Sequence, residues 1–418
     1  MKKQVNVKDL FDLLPDSKID EIAQKYQVDK YVSKLKGKSM LQLMLYSQLS
    51  LNDISLRSIQ EQYSSVFFQI LVGENKGKGK ITHGAIRDRL KKIPSTFFKE
   101  IYDYFYEKVS QLYDDNTLKK YHLKRYDSTL VSTSAKLLGE KGLLVYRNTK
   151  AKKSLPKHVK FTTEMLGDFL LDINIYTAQK YSSEDHALGQ TILSTVHKSK
   201  QVVIFDRGLK DRKSFISLDS SEEKPKTFFV TRIKKNSKAT FIESISSQQQ
   251  LKKYQNLYHQ MYDNEEIEFL EDSLVYLHSG RNSKKISTPL RLIKIKRISD
   301  GEEFCIVTNI IKEDAFAIAN IYRKRWDIEV LFRFLKQEMN LNHILCHDSN
   351  AMQNIIYLLL ISAMMILIYR KLNKIKSYKT AKYRFFKELQ DIILFQLIST
   401  PEGVKKLKHI LENRIFKE

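Results

Sequence analysis

Residues 322–336 read Tyr322-Arg323-Lys324-Arg325-Trp326-Asp327-Ile328-Glu329-Val330-Leu331-Phe332-Arg333-Phe334-Leu335-Lys336. Tyr322, Arg325, Glu329 and Lys336 follow one another at intervals of three, four and seven residues. On a continuous helix these four side chains fall within about 60° of one another. Ile328, Leu331, Leu335 and Met339 gather on a neighbouring face that can enter a core. The helix is thus expected to be anchored by one side while it presents a carboxylate among cations on another. A carboxylate between two cations suits a metal ion that must approach a polyanion: the acid takes the metal and the cations hold phosphates beside it. Taken alone, the same residues also suit an amphipathic helix with a solvated charged face.

The rest of the chain weighs on that choice. Its 418 residues carry 72 Lys and Arg against 48 Asp and Glu, a formal charge of +24. An excess of this size, spread along the whole length, points to a polyanionic partner, and nucleic acid before a membrane surface. The length allows two to four domains with at least one large core. Cys305 and Cys346 are the only cysteines and lie too far apart for a zinc motif, so a reducing compartment is expected. The N-terminal residues lack the apolar run of a signal peptide. The longest apolar run, Ile355 to Tyr369, is shorter than the roughly 20 residues of a membrane span and reads as a buried helix.

The pattern along the chain changes character twice. Residues 1 to about 112 read as helical. Within them a basic, Gly-rich link, Gly77-Lys78-Gly79-Lys80, leads to Thr82 as an N-cap and a short helix with Arg87, Arg89, Lys91 and Lys92. That helix suits recognition of DNA and equally a plain cationic surface. From about Lys119 strands take over: Tyr121 to Val131, His158 to Met165 and Asp168 to Thr177, the last two joined through a hairpin at Gly167. A helix is expected over Glu184 to Lys198. Gln201-Val202-Val203-Ile204-Phe205 is then a short apolar strand of the kind buried on both faces, running straight into Asp206-Arg207-Gly208. A short helix (Asp211 to Leu218) and a strand (Thr227 to Ile233) follow. Alternating runs at Glu266 to Leu270, Ser273 to Leu277, Leu290 to Lys296 and Glu303 to Thr308 mark residues 236–310 as β-rich. Helix returns at Lys312 and continues to the end.

Three strands, a helix, a strand and a terminal helix after an insertion resemble the ribonuclease-H-like fold, so the expected class is mixed α/β. In that fold the first and fourth strands lie side by side, which would bring Asp127 and Asp206 together and let a later helix add Glu329. Three converging carboxylates cannot all stay ionised without compensating charge. Divalent cations relieve the repulsion and clamp the attacking and leaving oxygens of an in-line phosphoryl transfer. Separately, Asp127 before Ser128-Thr129 and Asp206 before Arg207-Gly208 each also suit an ordinary turn residue.

With these residues in place the chain resembles the bacterial cut-and-paste DDE transposases of the insertion-sequence family numbered four. That family carries Tyr-x2-Arg-x3-Glu-x6-Lys around its third acid, matched without a gap by Tyr322, Arg325, Glu329 and Lys336. Its first Asp ends a strand, as Asp127 does in Tyr126-Asp127-Ser128-Thr129, and its second follows an apolar strand, as Asp206 does. Its β-rich insertion precedes the Glu, and the interval here (329 − 206 = 123 residues) has room for one. The resemblance covers residues 119–345. It implies cleavage at the ends of an insertion sequence, a hairpin intermediate, and transfer of the 3′-OH ends into target DNA. Asp127, Asp206 and Glu329 would be catalytic residues and ligands of two Mg2+ ions, replaceable by Mn2+. Tyr322, Arg325 and Lys336 would contact DNA.

Trp326, the single tryptophan, could cap a base displaced by the hairpin bend or could anchor the helix in the core. Arg207 and Arg232 are further phosphate-contact candidates. The organisation expected is a helical, basic DNA-binding region (1–115), a catalytic domain (116–235 with 311–345), a β-rich insertion (236–310) and a helical C-terminal region (346–418) suited to dimerisation. The partners expected are double-stranded DNA, as element ends and as target, and a second copy of the chain. No organic cofactor and no membrane are expected, and the place of action is the bacterial cytoplasm, at the nucleoid. Competing readings are a transposase-derived DNA-binding protein without catalysis, another ribonuclease-H-like nuclease, and a membrane-associated protein using Ile355 to Tyr369.

Overall fold

The computed structural model describes residues 4–72, 81–112, 121–133, 142–144, 157–195, 201–219, 227–262, 266–279, 284–343 and 345–415. The Gly77 to Lys80 link, the change of pattern at Lys119 and the end of the helix expected to reach Lys198 lie outside these residues. The chain divides into two compact units, one of residues 115–332 and one of residues 1–114 with 333–418. The N- and C-terminal helical regions, distinguished in the sequence, therefore form one unit.

Among the described residues the 115–332 unit is built on a mixed sheet of eleven strands: β1 (His122–Thr133), β2 (Leu143–Leu144), β3 (Lys157–Leu166), β4 (Phe169–Tyr176), β5 (Gln201–Phe205), β6 (Phe228–Ile233), β7 (Ala239–Ser244), β8 (Ile267–Ser279), β9 (Lys284–Lys285), β10 (Leu290–Arg297) and β11 (Glu303–Thr308). Its order is β2-β3-β1-β5-β6-β11-β10-β8-β7, with β4 on β3 and β9 on β8. The β3–β4 hairpin turns at Gly167, whose φ of 60° is the left-handed conformation that a two-residue loop demands. β1 pairs antiparallel with β3 on one side and parallel with β5 on the other. β5 is buried at all five positions, as a central parallel strand of apolar residues should be.

Alternation sorts the core into two layers. Val203, Phe205 and Tyr126 face helices Glu184–Ser194 and Arg212–Asp219 through Leu188, Ile192 and Phe215. Leu123, Val202 and Ile204 face the opposite layer, with Leu251 and Tyr258 of helix Gln248–Met261 and Ile318 and Ile321 of helix Ala315–Arg323.

Residues 236–310 extend this sheet instead of standing apart from it. β11 pairs antiparallel with β6, matching Cys305–Thr308 against Val230–Ile233. Side chains reinforce the seam: Thr308 Oγ1 donates to the Phe229 carbonyl (2.6 Å), and Asn309 accepts from the Phe229 amide (3.0 Å) and donates to the Thr227 carbonyl (3.0 Å). Two expectations within this stretch are corrected. The runs Glu266 to Leu270 and Ser273 to Leu277 form one strand, β8, with an irregularity opposite Lys294/Ile295 that skips Leu270. The intervening Asp272 does not turn the chain, because buried Arg291 grips both its carboxylate oxygens at 2.7 Å. Helix Gln248–Met261 lies where only strands were expected, opened by a reciprocal cap between Ser247 and Gln250.

In the other unit the apolar run belongs to helix Ser349–Leu372, longer than the run itself and long enough by length and composition to cross a membrane. Its apolar window is 89% buried, as a core helix is, and it packs against helices Ser95–Leu112, Gly37–Ser50, His83–Lys92 and Tyr378–Ile398. In helix His83–Lys92, capped by Thr82, Arg89 turns inward instead of outward. It donates to the carbonyls of Leu35 and Val28 (both 2.8 Å) and pairs with Asp29 (3.2 Å).

Candidate active site

The β1–β5 register fixes the first two acids. His122 lies opposite Gln201 and Arg125 opposite Ile204, an offset of 79 residues. The same offset carries Asp127 to Asp206, each two residues beyond the last β1–β5 pair; Asp206 follows the end of β5, but Asp127 does not end its strand as expected, because β1 runs on to Thr133 against β3. Parallel neighbours lie about 4.8 Å apart, so two carboxylates leave the sheet side by side. Parity sends both to the layer of Leu123, Val202 and Ile204, which is the layer covered by helix Ala315–Arg323.

That helix delivers the rest of the site, with a break. The sequence reading carries Tyr322 to Lys336 on one continuous helix. Here one helix ends at Arg323 and a second runs Trp326–Gln337. Between them the amides of Arg325, Asp327 and Ile328 bond three residues back, to Tyr322, Lys324 and Arg325, which tightens the turn. Tyr322 therefore closes the first helix, while Glu329 lies in the first turn of the second. Lys336 lies on the same second helix two turns further on, in the part of the chain assigned to the other unit.

Arg325 is the centre of the arrangement. Its guanidinium pairs with Glu329 and lies 3.6 Å from Asp127, and its charge centre stands 5.8 Å from the Tyr322 ring. Burial alone would lower its pKa, but Tyr322, Asp127, Glu329 and Asp206 together hold it above the ordinary arginine value. Its Nε is buried without a hydrogen-bond partner. Burial pushes Asp127 up to about 7; Arg325 and the Ser128 amide pull it down, and Asp206 and Glu329 push it up. Burial likewise lifts Tyr322 to about 12, with Arg325 opposing and Asp206 assisting. Asp127, Asp206, Glu329 and Tyr322 thus all act on one guanidinium.

A neighbouring pair was missed in the sequence. Arg125, buried on β1, donates to Asp327 (2.9 Å) and to the Gly167 carbonyl (2.7 Å), tying the start of the second helix to the acid-bearing strand. Asp327 carried a signal, since acids favour the first turn of a helix, but its partner lies 202 residues away.

The other expected contacts fall into two groups. Trp326 is 53% exposed and so is not a core anchor. With Tyr322, Arg325, Arg232 and Phe304 it lines a cavity of about 470 Å³. Arg232 stacks on Phe304 (4.2 Å) and pairs with Glu302 (2.6 Å). Arg207 is an exposed turn residue beside Asp206.

Carboxylates are the hard oxygen donors that Mg2+ and Mn2+ take. Among the described residues no three His, Cys, Asp or Glu side chains stand close enough together to hold a metal ion. The donor chemistry fits a divalent cation, while the spacing fits the guanidinium that stands among the acids.

Comparison with known proteins places this geometry in context. A family model described as "Transposase DDE domain" matches residues 126–365, more than half of the chain. A second, a domain of unknown function, matches residues 4–66. A Sinorhizobium fredii protein named as a transposase (y4zB) is 30% identical over 191 residues, 46% of this chain and 48% of that one. A Synechocystis protein named as a transposase for insertion sequence element IS4SA is 31% identical over 28% of this chain and 35% of that one. The chain spans about half the length of the first of these relatives and less of the second. A cryo-EM structure of piggyBac transposase in a synaptic complex with hairpin DNA aligns with 99% of this chain and 86% of that one, at a TM-score of 0.51 and 11% identity. That likeness bears on the fold, which is the mixed α/β arrangement expected for a ribonuclease-H-like core.

Proposed function

The chain belongs to the DDE transposase domain family, with the divalent-metal dependence general to it, and from that membership we propose that it is a DNA transposase. It cleaves DNA at the ends of an insertion sequence and joins the 3′-OH ends to target DNA through a hairpin intermediate. The observation that carries this reading is the β1–β5 register, which sets Asp127 beside Asp206 on the layer where Arg325 and Glu329 arrive. The Tyr-Arg-Glu-Lys spacing supports the insertion-sequence family numbered four.

Asp127, Asp206 and Glu329 would hold two Mg2+ ions, with Mn2+ able to replace them. Bound there, the ions would neutralise charge on the reacting phosphate and its attacking and leaving oxygens. The protein's own groups do the rest. Arg325, with an unused Nε–H, is free to reach a phosphate once its carboxylates have another cation. Tyr322 stays protonated at neutral pH and donates a hydrogen bond to the backbone. Lys336, Arg207 and Arg232 add positive charge along the path of the strand. The cavity beside Trp326 suits a base that leaves the stack when the hairpin bends. Trp326→Ala is expected to slow hairpin formation by ten- to a hundredfold, as about 1–3 kcal/mol of stacking is removed. First-strand nicking should change little, and denaturing gels that separate nick from hairpin read the difference.

The other unit supplies DNA affinity in this reading. The loop 26–36 places three non-Gly residues in the left-handed conformation, Gln27, Tyr31 and Leu35 at φ of 50°, 60° and 55°. Such residues cost about 1–3 kcal/mol each and persist where the surroundings hold them, as the inward Arg89 does at the Leu35 and Val28 carbonyls. The loop turns Lys30, Lys34, Lys36 and a 96% exposed Tyr31 outward. Lys30→Gln, Lys34→Gln and Lys36→Gln together are expected to flatten the slope of log affinity against log salt by roughly 2–3, about 0.9 for each phosphate that no longer has a lysine to neutralise it. Fluorescence anisotropy with duplex DNA at several salt concentrations measures it. Two element ends require two active sites, so a homodimer on DNA is part of the proposal, with the C-terminal helices as its interface.

The deciding experiment uses the full chain, a duplex carrying the inverted repeats that flank its reading frame, and Mg2+. Metal-dependent nicks at the repeat boundary and joining to a plasmid are expected. Binding without cleavage in Mg2+ or Mn2+ would favour a DNA-binding descendant in which Arg325 has permanently replaced the metal.

A further inference from the structure

Helix Glu184–Ser194 opens with two acids, Glu184 and Asp185. Acids are common in a first helical turn, where they meet the helix dipole. These two are engaged elsewhere. Glu184 Oε2 accepts from the Ser128 hydroxyl (2.7 Å), and its Oε1 accepts from the buried Lys160 ammonium (3.0 Å). Lys160 is itself held by the Ser182 carbonyl (2.8 Å), so the Glu184 carboxylate is fixed at both oxygens. Ser128 is the residue after Asp127, and its amide donates to Asp127 Oδ1 (2.8 Å). Ser128 is therefore gripped at both ends, by the candidate catalytic acid through N–H and by Glu184 through O–H.

The loop that carries Asp206 rests on the same helix turn. The amides of Lys210 and Asp211 both donate to Asp185 Oδ1, at 2.5 and 2.9 Å. Gly208 lies against the Glu184 stem so closely that a Cβ there would fall 2.8 Å from Glu184 Cγ. Leu209 packs over Gly189 one turn further along, where a Cβ on Gly189 would meet Leu209 Cδ1 at 3.1 Å. The Asp206 loop is thus seated on the helix at three levels and the Asp127 stretch of β1 at one. Strand register sets the two acids side by side, but both lie beyond the last β1–β5 pair: Asp127 is held by the ladder only on its β3 side, opposite Thr163, and Asp206 has already left β5.

We infer that Glu184 and Asp185 are positioning residues that fix the backbone beneath Asp127 and Asp206, so that both carboxylates can turn onto a divalent cation when it replaces the Arg325 guanidinium. Glu184 acts on Asp127 through Ser128, and on the Asp206 loop through its packing against Gly208. Asp185 acts on that loop through two backbone amides. The inference rests on the proposal that Asp127 and Asp206 hold the metal. Neither Glu184 nor Asp185 is a metal ligand in it: both Glu184 oxygens are taken by Ser128 and Lys160, and Asp185 Oδ1 by the two loop amides.

The test is a titration of the full chain with Mn2+, followed by the disappearance of the free-ion electron paramagnetic resonance signal, with thermal melting as the control for folding. Removing a group that orients a metal ligand weakens affinity by about 10- to 100-fold. Glu184→Ala and Asp185→Ala are expected to fall in that range, and Glu184→Gln, which keeps oxygen and shape, to recover most of the loss. Gly208→Ala keeps every polar group and tests the packing alone. It should weaken Mn2+ binding in the native background by about tenfold and add little in the Glu184→Ala background, because its effect passes through the Glu184 stem. If Asp127→Ala abolishes Mn2+ binding while Glu184→Ala and Asp185→Ala leave it unchanged, the positioning role is overturned and the metal site stands. Equal losses from Gly208→Ala in both backgrounds also overturn the role of Glu184. Mn2+ binding that ignores Asp127→Ala overturns the metal-site reading and this inference with it.

Discussion

Asp127→Asn is expected to reduce cleavage of element-end DNA by a thousandfold or more while DNA affinity stays within a few-fold of the native protein. The carboxylate is better buried than that of Glu329 (17% against 32% exposed), and its loss removes charge from the point where β1 and the end of β5 present their acids together. Several kcal/mol of transition-state stabilisation depend on a metal held in this way, and each 1.4 kcal/mol is about tenfold in rate. Binding is spared because the cations of the loop 26–36 and of Arg207 are untouched. The same variant tests the electrostatics. Burial raises Asp127 from its ordinary value near 3.8 to about 7, so the folded metal-free protein binds a proton more tightly there than the unfolded chain does. The associated stability is fully present below pH 4 and is lost as pH rises through about 7. Asn carries no such proton. The difference in stability between native and variant, read as melting temperature across pH 4–8 without metal, should therefore shift in favour of the variant as pH rises. Mg2+ should reverse that trend for the native chain only. A pH-independent difference would remove the case for an unusual Asp127.

Arg325→Ala is expected to lower cleavage by about 10²–10³-fold, the loss typical of one donor aimed at developing charge. Unlike Asp127→Asn, it should also weaken DNA binding, because a cation that meets a phosphate goes with it. With no guanidinium competing for Asp127 and Glu329, less Mg2+ should be needed to fill the site, while a higher pH should be needed to ionise metal-free Asp127, which loses the charge that pulls its pKa down. Arg325→Lys is expected to recover little: an ammonium cannot span two carboxylates and the Tyr322 ring as a planar guanidinium does. The measurement is the rate of first-strand nicking against Mg2+ concentration for the three proteins. Full recovery by Lys would reduce Arg325 to a simple point charge.

The parts of the site that could be read in the sequence are those set by local pattern. Gln201 to Phe205 declared a buried parallel strand because five successive residues carry no charge and the next is Asp206. The Gly167 hairpin was legible because only certain residues make a two-residue turn. Tyr322, Arg325 and Glu329 were legible as a set, but not the break between them: a turn tightened by bonds three residues back leaves the spacing of side chains unchanged in the sequence. Long-range pairing left weaker traces. Glu271-Asp272 reads as a turn until Arg291, 19 residues on, is seen to bury the Asp. β6 and β11 lie more than 70 residues apart, and neither carries a mark of the other. Helix Gln248–Met261 was in principle legible, since Ser247 and Gln250 form a capping box, yet the strands around it dominated the reading. Glu184 and Asp185 looked like ordinary helix-dipole acids because their partners come from three other elements.

The seam between β6 and β11 has an evolutionary corollary. Were residues 236–310 deleted or exchanged for a shorter segment, the row of amides and carbonyls from Val230 to Ile233 would be left open, one strand away from Asp206. Such an edge invites adhesion to other chains. The lobe therefore cannot be traded as an independent cassette; descendants of this architecture must either keep a strand in that place or invent a cover for it.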